Sequence, residues 1–243
     1  GGMKMKKKLL SLLLALCLVM ALVPMTAFAA GTTDSWDGTA DTSWYDENET
    51  EFHLQTAEQL AGMAKLINDD TAYFKDKTVY LDNDLDLGGH EWISIGDGAN
   101  TDVGSFQGVF DGQSHVVYNL YSHEGLKSEN KDNNNNLYRN GLFGSIYNAT
   151  VKNLGIENAD IVIPMKDGST YGKGILVDWM THSTIKNCYT TGSITGGSYI
   201  EKYIGGLAGF LNGDNSISQC YSTAAITGNY DGEYYAEQEG GLE

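Results

Sequence analysis

The chain has 243 residues, 30 of them glycine and 2 proline, and its 32 acidic against 15 basic side chains give a formal charge of -17. A surface this acidic repels phosphate backbones and anionic lipid, which argues against nucleic-acid and peripheral membrane binding and leaves cationic partners or divalent ions open. Four tryptophans and fifteen tyrosines argue against disorder, and the absence of a G-x-y period excludes collagen, so many turns and short strands are expected.

Residues 1–29 read as a secretory signal peptide. Lys4, Lys6, Lys7 and Lys8 precede an apolar run from Leu9 to Val23, followed by Pro24 and the small-residue site Ala27-Phe28-Ala29. An uncleaved anchor helix is the alternative; Cys17 lies inside the apolar run after a bulky Leu16, which weakens a lipoprotein reading. No later run is long enough for a membrane span, and the implied location is secreted or on a bacterial cell surface.

Residues 30–51 form an acidic lead-in whose Trp36 and Trp44 are expected to be exposed or packed at an edge. Residues 52–100 read as an N-terminal cap. There Thr56 and Gln59 have capping-box spacing, and Leu60, Met63, Ala64 and Ile67 share one helical face. Residues 78–87, TVYLDNDLDL, alternate as one strand, with Val79, Leu81, Leu85 and Leu87 on one side and Asp82, Asp84 and Asp86 on the other.

From 101 to 243 the chain repeats at a period of about 32–34 residues. One anchor is a glycine-hydrophobic turn: GVFDG at 108–112, GLFG at 141–144, GILV at 174–177 and GLAG at 206–209. A second is a short strand, VVYNL, TVKNL, TIKNC and SISQC, which aligns Leu120, Leu154, Cys188 and Cys220 as one internal ladder and Val117, Val151, Ile185 and Ile217 as another. No unit contains paired amphipathic helices, and each is short for a propeller blade. The expectation is an all-β chain folded as a parallel β-helix, or solenoid, with a short capping helix. The polar stretch 122–140 should loop outward for want of apolar content. Gly240-Gly241-Leu242 repeats an earlier signature, so the last coil reads as truncated.

The segments NGLFGSI, YIGGLAGFL and STIKNCYTTGSITG, with the preceding TAEQLAGMAKLIN and FQGVFDGQSHVVYNL, resemble the glycine-leucine-rich repeats called the GLUG motif. The resemblance covers roughly 52–243 and rests on Gly141, Leu142, Gly144, Gly174, Gly206, Leu207 and Gly209, with Val177 standing where glycine is expected. It implies a right-handed β-helix in adhesin-like bacterial surface or secreted proteins, and no catalytic residue.

Motifs for chemistry are sparse. His90-Glu91 and His123-Glu124 lack the second histidine of H-E-x-x-H, and G-x-S-x-G is absent. A carbohydrate-active enzyme, hydrolase or lyase, is the alternative function, with Asp82, Asp84 and Asp111 as its carboxylates. Against a lyase, Arg139 is the one arginine. No cofactor is called for, although oxygen-rich clusters at 82–86 or 132–136 offer ligands for a structural calcium ion. Cys188 and Cys220 read as small buried hydrophobes, adjacent and free, within reach of a disulfide. Tyr189 and Tyr221, equivalent in successive units, should stack outward and offer a surface to an extracellular glycan or protein. The primary reading is therefore a non-catalytic module for adhesion, ligand binding or spacing.

Overall fold

The computed structural model describes residues 36–98, 102–129, 136–163, 172–196 and 203–228. The leader expected at 1–29, nearly all of the cluster at 132–136 and Gly240-Gly241-Leu242 lie outside these. The described chain winds as a β-solenoid of about four turns, each laying strands on up to three parallel sheets, here called walls.

Strand β1 (Glu51–Leu54) starts the first wall and leads into helix α1 (Ala57–Asn68). The Thr56 side chain accepts from the Gln59 amide and the Gln59 side chain accepts from the Gln55 amide, so two otherwise orphaned donors are satisfied. Leu60, Met63 and Ile67 are fully buried. Gly62, a poor helix former, is explained by what lies against it: a Cβ there would collide with the backbone of Asp41. The lead-in is thus packed onto the cap. Trp36 is only 3% exposed, set edge-on to Trp92 with ring centroids 5.5 Å apart, which corrects the expectation of an exposed or edge-packed indole.

The first coil contains β2 (Thr78–Leu81) and β3 (Leu85–Asp86). These belong to different walls, so the alternating run 78–87 is two strands around a corner at 82–84 and not one. Burial still alternates because the apolar side chains point into the tube on both walls. Ile95 and Phe106 then bridge to the next coil on the third wall. The second coil carries β4 (Val109–Asp111), β5 (Val116–Tyr118), β6 (Tyr121–Ser122), an antiparallel hairpin of β7 (Leu126–Glu129) and β8 (Asn136–Arg139), and β9 (Phe143–Tyr147). That hairpin corrects the outward loop expected over 122–140, and its end buries Tyr138, Arg139 and Asn140.

The third coil has β10 (Thr150–Lys152), β11 (Gly155–Val162), β12 (Lys173–Gly174) and β13 (Val177–Thr181). The fourth has β14 (Thr184–Lys186), β15 (Tyr189–Gly196), β16 (Ile204–Gly205) and β17 (Ala208–Asn212). A further pass adds β18 (Ser216–Ser218), β19 (Tyr221–Ser222) and β20 (Ala225–Gly228). Corners between the first and second walls use left-handed backbone at Asn153, Asn187 and Gln219, a region that asparagine tolerates better than most residues.

Register holds from the third coil on and departs before it. On the first wall Phe110, Val151, Ile185 and Ile217 stack, whereas Val117 sits on the second wall against Ile156. Leu120 likewise does not lie under Leu154; its carbonyl accepts from Asp160. GVFDG is first-wall strand, not the counterpart of GLFG, whose Phe143 pairs with Ile95. On the third wall Phe143, Val177 and Ala208 are in register, and so are Ser145, Trp179 and Phe210. Asp178, between those pairs, therefore occupies the place of Gly144 and Gly209, and Gly174 pairs with Gly205 rather than Gly206. The departure from the repeat falls on Asp178 and not on Val177.

Candidate functional site

Tyr189 opens β15 directly after the inward Cys188, and period-two alternation turns its ring to the outside of the second wall. Tyr221 opens β19 in register with it. Their rings are stacked, with centroids 5.2 Å apart and planes inclined by 6°. Below Tyr189 lies Gly155, which leaves room for the ring, while the Tyr189 hydroxyl donates to Glu157 Oε1 at 2.7 Å. Burial and the Glu157 carboxylate push the Tyr189 phenol above its usual range, so it stays a neutral donor. Tyr221 is 55% exposed and presents the free ring face. An aromatic plane held flat beside a carboxylate suits the apolar face of a sugar ring or an apolar protein side chain.

On the same wall, a shallow depression is lined by Asp86, Gly88, Asn119, Tyr121, Asn158 and Asp160. Its amides form a chain across coils: Asn119 Nδ2 donates to Asp86 Oδ1 at 2.7 Å and Asn158 Nδ2 to Asn119 Oδ1 at 3.3 Å.

The three carboxylates of the enzyme alternative come to the corner between the first and second walls, but each is already engaged. Asp82 accepts from His53 Nδ1 at 2.9 Å and from Gln113 at 2.8 Å. Asp84 pairs with His115 Nδ1 at 3.0 Å and accepts from the Val116 amide. Asp111, the last residue of β4 and not part of a turn, lies 3.1 Å from Lys152 Nζ and accepts from Asn153 and the Gln113 amide. Although burial opposes ionisation of Asp111, these donors and Lys152 hold it below the usual carboxylate range. Asp82 is lowered chiefly by His53. These bonds join successive coils and give the aspartates a structural use. Among the described residues no group of three or more His, Cys, Asp or Glu is placed to hold a metal ion.

Of the repeat residues, Leu142 and Leu207 are buried, as are Leu120, Leu154 and Cys188, while Cys220 is half-buried. The two cysteines are free thiols, with the Cys188 amide donating to Cys220 Sγ at 3.4 Å. Sequence reasoning missed a buried polar group behind the third wall: Arg139, Asn140, Lys173 and Asp178, each at most 1% exposed. Burial pushes the Arg139 guanidinium below its ordinary value, with Asp178 and Asp97 opposing, and Trp179 lies 5.4 Å away. The signal available was Asp178 in the place of a repeat glycine.

No helix among the described residues is long and apolar enough to cross a membrane. No family model matches the chain, and no solved structure matches it. Over 182 residues, 71% of its length, the chain is 29% identical to halomucin of Haloquadratum walsbyi (strain DSM 16790 / HBSQ001), of which it spans 2%.

Proposed function

We propose that this chain is a secreted or surface-displayed β-helical module that binds an extracellular glycan or protein through its second wall. The observation that carries the reading is the Tyr189–Tyr221 stack, flat to within 6° and more than half exposed at its outer member. Three features support it: the solenoid that presents the stack, the leader-like segment at 1–29, and the similarity to the protein named halomucin. The likeness to GLUG-motif proteins agrees with an adhesin-like role. A glycan array and immobilised extracellular proteins, probed with the wild type and with Tyr221→Ala, test it. Binding should fall about tenfold or more in the variant while the fold is retained. Binding unaffected by Tyr221→Ala, or none to either panel, would overturn the reading.

A further inference from the structure

Lys173, Asn140 and Asp178 bring an amine, a carboxamide and a carboxylate together in the buried space behind the third wall. Lys173 Nζ donates to Asn140 Oδ1 at 2.9 Å and also to the Tyr138 carbonyl, so the amine lies against the side-chain carbonyl of Asn140. Asp178 Oδ2 lies 3.7 Å from the same Nζ. Its carboxylate is fixed by the segments that carry both reactants: Oδ2 accepts from the Asn140 amide at 2.6 Å, and Oδ1 from the Gly141 and Gly174 amides at 3.2 and 3.0 Å. On the far side, Asn140 Nδ2 donates to Ser122 Oγ at 3.1 Å, which aligns the carboxamide and orients its nitrogen. Lys173, Asn140, Asp178 and Ser122 are all 0–1% exposed.

We infer that Lys173 and Asn140 form an intramolecular isopeptide bond, assisted by Asp178, that welds the second coil to the third. In the step, Lys173 gives one proton to Asp178, and the neutral Nζ attacks Asn140 Cγ. The new C–N bond forms, Nζ gives up a second proton as the bond from Cγ to Nδ2 breaks, and the departing nitrogen takes both protons, relayed through Asp178, to leave as ammonium. An ammonium and an amide become a secondary amide and an ammonium ion, so atoms and charge balance and no oxidant enters.

Two physical arguments favour the reaction here. Holding amine and carboxamide together removes the entropy cost that makes amide exchange negligible between free side chains. The product also replaces a buried ammonium, costly to keep out of water, with a neutral amide, while Asp178 keeps its three backbone donors and the field of Arg139. The placement explains why Asp178 breaks the glycine ladder: the glycines it replaces in neighbouring coils have no carboxylate to offer.

Tryptic mapping of the full chain by mass spectrometry decides the matter. The link predicts peptide 140–152 joined to 167–186 through an uncleaved Lys173, at the summed mass less one ammonia. Recovery of the two peptides unlinked, with Lys173 cleaved normally, would overturn it and leave the cluster a buried ion pair. Ammonia loss confined to the peptide that holds Asn140-Gly141 would mean succinimide formation and overturn it equally. Asp178→Asn should leave Lys173 and Asn140 in place yet reduce the linked fraction at least tenfold; full linkage in that variant would remove Asp178 from the step. Lys173→Arg, which keeps a cation but cannot link, should melt roughly 5–15 °C lower than the linked protein. The wild-type map stands whether or not either variant folds.

Discussion

The ring of Tyr189 fills the space that a side chain on Gly155 would need: a Cβ built there lies 2.6 Å from Tyr189 Cζ. A glycine one coil below is therefore what lets the tyrosine lie flat and receive Tyr221 on its other face. Gly155→Ala should tilt Tyr189, open the stack and weaken its hydroxyl bond to Glu157. Because the clash is with the far end of a side chain, the cost in stability should be modest, about 1 kcal/mol. Near-ultraviolet circular dichroism should lose tyrosine signal, and ligand affinity should fall with it. An unchanged spectrum would show that the ring is not held by this contact.

Asn153 combines left-handed backbone, φ 53°, with two bonds across coils, donating to Asp111 and accepting from Asn187 Nδ2, both at 2.9 Å. Asn153→Ala should cost about 2–4 kcal/mol, from the lost bonds and the strained backbone together. Asn153→Gly loses the same bonds without the backbone strain and should recover about 1 kcal/mol of that. Chemical denaturation of both variants checks the order; Gly less stable than Ala would contradict a conformational role.

The solenoid was legible because its requirements recur: an apolar side chain inward on each wall, a residue tolerant of left-handed backbone at the corner, small residues where coils approach. Ile185 and Ile217, or Cys188 and Cys220, stand in units so alike that their register could be counted. The second coil was misaligned because the β7–β8 hairpin lengthens it, so that Phe110 and Val151 stand 41 residues apart where Val151 and Ile185 stand 34. VVYNL then matches TVKNL in letters while lying on another wall. Gly62, a poor helix former, has its reason outside the helix, in the backbone at Asp41. The tyrosine stack could be inferred from equivalence in the repeat. Lys173, Asn140 and Asp178 could not, since three residues from two coils form no motif and only packing unites them. The carboxylates at 82, 84 and 111 were seen, but the His53, His115 and Lys152 that occupy them come from neighbouring passes of the chain.

Asp111 supplies a pH signature. Its folded pKa is depressed, so its contribution to stability is complete above the unfolded aspartate value, about 3.9, and is lost as pH falls through the lower folded value. Asp111→Asn should therefore melt below the wild type by a constant margin from about pH 5 to 7. The margin should narrow as the pH drops under about 4. A gap that stayed constant down to pH 2 would show that ionisation of Asp111 is irrelevant to the corner.

The two cysteines share one ladder but should differ in chemistry. Cys188, 2% exposed, has its thiol held in the protonated state by its bond to Cys220 and by burial. Cys220 has the opposite bias: the Cys188 thiol and amide both donate toward its sulfur, favouring the thiolate and lowering its pKa below the usual thiol range. Because the thiolate is the nucleophile and Cys220 is half-buried, iodoacetamide at neutral pH should label Cys220 and spare Cys188 until the chain unfolds. Cys188→Ala removes the thiol donor while leaving the amide, so the pH at which Cys220 becomes half as reactive as its maximum should rise toward about 8.5. The rate of alkylation against pH, read peptide by peptide, measures both effects. Equal labelling of the two thiols in the folded protein would mean that the ladder opens enough to expose Cys188. An unchanged profile in Cys188→Ala would mean that the amides around Cys220, and not its neighbouring thiol, set its acidity.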